Sequence, residues 1–140
     1  MATWQLGPFD NDDAVEWCGR LENTAPGQRE AVVRRTLDRA VVAGPSLAPE
    51  DAAQAIAAAA TVLQSTAGTS ASDSAYAPRF LLGREDIQVT PPLRSLATRA
   101  LDAVLAHGSA WRLRWADDVE EEEAFGVIEE LRNRLASATP

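Results

Sequence analysis

The sequence predicts an all-α protein, an irregular bundle of five to six helices in a single domain spanning residues 1–140. Three observations predict it. Leu93, Leu96, Ala97, Ala100, Leu101, Val104 and Leu105 hold the spacing of one helix face without a miss. From Pro49 to about Ser65 the chain is dominated by alanine, the residue with the highest helix propensity. The one stretch with extended character, Ile87-Gln88-Val89, has no evident strand to pair with.

The elements follow from their boundaries. Gly7-Pro8 turns the chain, and Asp10, Asn11, Asp12 and Asp13 supply N-cap side chains for the free N–H groups of a first helical turn. The helix that follows shows Ala14, Trp17, Cys18 and Leu21 on one face. Trp4 and Phe9 precede the cap and are expected to fold back over the first turn, in one apolar cluster with Trp17. Asn23 to Gly27 breaks the helix. A second helix is expected from about Gln28 to Ala43, with Val33, Leu37, Ala40 and Val41 as its apolar line and Arg29, Arg34, Arg35 and Arg39 on its other side. Gly44-Pro45 ends it, and Pro49 opens the alanine helix with Glu50 and Asp51 at its positive end. Small residues all round that helix let neighbours approach closely, which places it near the centre.

Thr66 to Ala77 has no periodicity and is expected to be a mobile loop, followed by an apolar patch, Tyr76 to Leu82, that docks on the core. Pro91-Pro92 starts the most regular helix and His107-Gly108 ends it. Ser109 caps a short helix, Ala110 to Trp115. Six carboxylates within residues 117–123 open a final helix whose apolar side is Phe125, Ile128, Leu131 and Leu135.

Composition limits the possible functions. A net charge of −8 argues against binding nucleic acid, where affinity comes largely from neutralising phosphates. It argues equally against docking on anionic lipid. No leader of basic then apolar residues and no run of about eighteen apolar residues is present, so no membrane association is expected. The single cysteine, Cys18, fits a reducing cytoplasm and behaves as a small apolar residue on its helix face. All thirteen basic residues are arginine, which together with the alanine content reflects genomic composition bias.

Three groups of side chains are candidate sites. Asp10, Asp12, Asp13 and Glu16 have the oxygen ligands a calcium or magnesium ion needs, but the glycine of a calcium loop is missing and helix capping explains them better. Trp111 and Trp115 lie one turn apart beside Arg112, an arrangement that suits a ligand platform or a partner hot spot, although burial is the commoner fate of tryptophan. The arginines of the second helix form one local basic patch, suited to a phosphate or an acidic partner, or simply to a solvated face. His107 reads as a helix-end residue, with no triad partner suggested in the sequence. No phosphate loop, dinucleotide fingerprint, HExxH or CxxC occurs, so no cofactor is expected.

The opening segment resembles the signature of an uncharacterised bacterial family, the domain of unknown function 4259, whose members begin M-G-x-W-G-x-G-x-F-x-N-D-x-A-x-[DE]-W. Trp4, Gly7, Phe9, Asn11, Asp12, Ala14, Glu16 and Trp17 match in order, with Ala2 and Gln5 where the family usually has glycine. The A-L-x-x-V-L pattern at residues 100–105, Trp115 and L-R-x-R-L at residues 131–135 match the family's C-terminal features. The resemblance implies no activity.

These observations favour an acidic cytoplasmic module that binds another protein and is not an enzyme. An immunity or antitoxin-like role against a basic partner would suit its charge. The alternatives are a divalent-cation protein or enzyme using the Asp10–Glu16 cluster, and a small-ligand binder at Trp111 and Trp115.

Overall fold

The computed structural model describes residues 12–67, 90–106, 111 and 121–137. These form five α-helices and two short 3₁₀ turns, and no described residue lies in a strand. The helices are α1 (Asp12–Glu22), α2 (Arg29–Ala43), α3 (Pro49–Ala67), α4 (Pro91–Leu105) and α5 (Glu121–Ser137). The all-α bundle expected from periodicity is the fold observed.

α1 buries Ala14, Trp17, Cys18 and Leu21, the expected face. The 3₁₀ turn Pro26–Gln28 then reverses the chain into α2, with the Gln28 N–H bonded to the Ala25 carbonyl at 2.8 Å. α2 buries Val33, Leu37 and Ala40, but Arg29 is buried with them. At its C-terminus Gly44 adopts φ 55° and donates its N–H back to the Ala40 carbonyl. Only glycine takes that left-handed conformation without strain. The 3₁₀ turn Gly44–Ser46 follows, and Leu47 enters the core before α3 begins.

α3 is the centre of the molecule and packs against α1, α2, α4 and α5. Its alanines explain how one helix meets four others. Ala52, Ala53, Ala55 and Ala57 to Ala60 are fully buried, and a methyl group keeps helix axes near the short end of the usual ~8–10 Å separation. Thr61 is a buried polar residue of the helix, and its hydroxyl donates to the Ala57 carbonyl at 2.8 Å. α3 continues through Thr66 and Ala67, two residues expected in the loop. Serine and threonine cost a helix only a few tenths of a kcal/mol relative to alanine, too little to end it at Ser65. The remainder of that loop, the patch up to Leu82 and Ile87–Val89 lie outside the described residues.

α4 starts as its two prolines require. Thr90 is extended, and its side chain accepts the Leu93 N–H at 3.3 Å. Leu93, Leu96, Ala97, Ala100, Leu101 and Val104 are buried, facing α2, α3 and α5. α5 buries Ile128, Leu131 and Leu135 against α4 and α3, with Phe125 packed at the edge. Across the α4–α5 seam the Arg132 guanidinium forms a forked pair with the Asp102 carboxylate. Trp111 is helical, and the rest of the short helix expected over Ala110 to Trp115 lies outside the described residues.

Candidate functional site

Two helix stripes meet to form a cleft of about 240 Å³ between α1, α2 and α3. From α1 come Trp17 and Arg20, with Thr24 of the following turn, spaced at three and seven residues. From α2 come Val32, Arg35, Thr36 and Arg39, again one face of a helix. Gln54 of α3 completes the wall. α2 therefore works on two sides, with its core stripe at 29, 33, 37 and 40 and its cleft stripe about a quarter turn away.

The floor is closed by a short hydrogen-bond chain. Trp17 is only 1% exposed, and its indole Nε1–H donates to Thr36 Oγ1 at 3.0 Å. The Thr36 hydroxyl donates in turn to the Val32 carbonyl at 2.9 Å. Its proton is thereby used, and so is that of Thr24, which bonds the Arg20 carbonyl at 2.7 Å. The rim carries Arg20, Arg35 and Arg39, and among the described residues no carboxylate lines the cleft. Arg39 makes a loose pair with Asp51 at 3.8 Å. Among the described residues, no ion pair joins Arg20 or Arg35.

Arg29 has a different job from its neighbours in the basic patch. It is 6% exposed, its Nε donates to the carbonyls of Leu21 and Thr24, both at 3.1 Å, and its Nη2 donates to the Glu22 carbonyl at 2.9 Å. These carbonyls lie at the end of α1 and in the turn beyond it, where a cation also meets the negative end of the helix, and that of Leu21 accepts the Thr24 N–H as well. Arg29 is thus a clamp holding α1 to the start of α2, not part of a solvated face. Its place in the stripe Arg29, Val33, Leu37 and Ala40 is the signal that could have revealed it.

The other expected sites are placed as follows. Trp111 is 4% exposed and packs on Phe125, with ring centroids 5.5 Å apart and planes at 32°. It belongs to the core, so its face is not an open platform. Arg112 and Trp115 lie outside the described residues. Ala14 and Trp17 of the opening signature are core residues, whereas Trp4, Gly7, Phe9, Asp10, Asn11 and also His107 lie outside the described residues. Asp12 is the first residue of α1, Asp13 is half-buried in its first turn and Glu16 is exposed. Among the described residues, no three histidine, cysteine or acidic side chains gather as a metal site would need. Burial pushes the Cys18 thiol up to about 12, which keeps it protonated and unreactive at neutral pH.

A second surface stands out by charge. α5 turns Glu122, Glu129 and Glu130 outward, and no ion pair joins them among the described residues. Gly126 lies between them with open space above it. No helix among the described residues is long and apolar enough to cross a membrane.

No curated protein and no solved structure matches the chain. One family model does, over residues 2–126, a span reaching from the opening aromatic segment into α5. With nearly the whole chain covered, the protein belongs to the family described as the domain of unknown function DUF4259.

Proposed function

We propose that this chain is a cytoplasmic protein-interaction module that docks a basic partner through the outer face of α5. The observation that carries the proposal is the group of exposed carboxylates on the described part of α5. Glu122, Glu129 and Glu130 stand together on α5, while three arginines are gathered at the α1–α2–α3 cleft. A net charge of −8 would steer a basic protein towards the acidic face. Neutralisation of such a partner, in the manner of an immunity protein or antitoxin, is the role this charge pattern suits.

The test is recovery of a basic partner on the tagged full chain from its native cells, at low and at high salt. Capture is expected to weaken as salt rises, because screening shortens the reach of exposed charges to about 3 Å at 1 M. The double variant Glu129→Arg/Glu130→Arg should abolish capture, and Arg20→Gln/Arg35→Gln should leave it intact. Capture that is indifferent to salt and survives the α5 charge reversal would refute the proposal.

A further inference from the structure

The arginine-lined cleft is not used by that interaction, and its chemistry points elsewhere. We infer that it binds a small phosphate monoester, the phosphate at the Arg20, Arg35 and Arg39 rim and an apolar remainder against half-buried Val32, over the Trp17–Thr36 hydrogen bond.

The charge comes first. Three guanidiniums line the cleft with no carboxylate among the described lining residues, in a chain that is otherwise strongly acidic. Arg39 is shared loosely with Asp51, so Arg20 and Arg35 are the two rim charges that no ion pair joins among the described residues. That matches a dianion better than a single carboxylate. Shape leads the same way. A guanidinium presents a planar fork of donors, and a tetrahedral phosphate can take forks from several directions at once. Arg35 and Arg39 are one turn apart on α2, with Cβ atoms about 5–6 Å from each other, and Arg20 approaches from the facing helix.

The floor selects the rest of the ligand. The protons of Thr36 and Thr24 and the indole N–H are already donated within the protein. The floor therefore has no hydroxyl or indole proton left to give, and the donors for an anion are those of the rim. The volume of about 240 Å³ lies below the roughly 300–1,000 Å³ of sites for drug-sized ligands, which favours a compact monoester over a nucleotide.

The test uses the full ¹⁵N-labelled chain and reads the Trp17 indole N–H resonance, identified by its loss in Trp17→Phe. Phenyl phosphate should move that resonance saturably, inorganic phosphate should compete more weakly, and phenol should have little effect. Removing one fork should weaken binding at least about tenfold in Arg20→Gln or Arg35→Gln, as expected for a charge-assisted contact. Asp51→Asn, which releases Arg39, should tighten it. Both arginines are exposed, so these variants should keep the wild-type circular dichroism spectrum. The inference is overturned if phenyl phosphate leaves the resonance unmoved. It is overturned equally if the folded double variant Arg20→Gln/Arg35→Gln binds like wild type, or if succinate binds as tightly as phenyl phosphate. None of these three results bears on the α5 surface.

Discussion

Replacing Arg29 tests how the first two helices are joined. Arg29→Met keeps the alkyl stem and removes every donor. Two of its donating groups are placed, Nε shared between the Leu21 and Thr24 carbonyls and Nη2 on the Glu22 carbonyl. A hydrogen bond from a charged group contributes about 1.5–3 kcal/mol. The bond to Leu21 is buried and counts in full, whereas the carbonyls of Thr24 and Glu22 can recruit water and count for about half. The charge itself helps the end of α1 and opposes the start of α2 by similar amounts, so the dipole effects nearly cancel. The expected loss is therefore about 3 kcal/mol, or roughly 10 °C in Tm for a chain of this length. Arg29→Lys can satisfy part of the set and should cost about half as much. Urea unfolding measures both, with an unchanged slope confirming that only stability has moved. If Arg29→Met falls within about 0.5 kcal/mol of wild type, the carbonyls are satisfied without the clamp and the reasoning fails.

Two further predictions concern the core. Ala58 is fully buried in α3, so Ala58→Leu should destabilise by about 1–3 kcal/mol or more in thermal melts, whereas Val42→Ala, at a site 87% exposed, should change stability by less than about 0.5 kcal/mol. Cys18 should resist iodoacetamide until the chain unfolds. Its folded value, about 12, lies above the ordinary 9.0, so its contribution is fully present below pH 9.0 and is lost as pH rises towards 12. Stability should thus fall by up to about 1.4 kcal/mol per pH unit above pH 9, a slope that Cys18→Ala removes.

Much of the fold is legible because local signals agree. The α4 boundaries rest on two prolines, a threonine cap and an unbroken apolar stripe, and the central position of α3 follows from its methyl groups. The cleft was not legible. Trp17 and Thr36 are nineteen positions apart, and nothing in either helix alone says that one indole will meet that hydroxyl. Arg29 was missed for the opposite reason. Its charge placed it with Arg34, Arg35 and Arg39, although its register placed it with Val33 and Leu37. Charge type and helical register disagreed, and register decided its position. Trp111 shows the same priority, since its burial against Phe125 overrides the flanking arginine that suggested an exposed platform.

The methyl-lined middle of the bundle has a thermodynamic consequence. An alanine side chain has no rotamers to freeze, so ordering it carries almost none of the side-chain entropy that a buried leucine or methionine gives up. Each one also withdraws little apolar area from water, so its gain is small as well. The centre of this protein is thus assembled from many nearly cost-free contributions. The larger opposing terms come from the big buried side chains that the neighbouring helices contribute, Trp17, Leu37, Leu101 and Leu135.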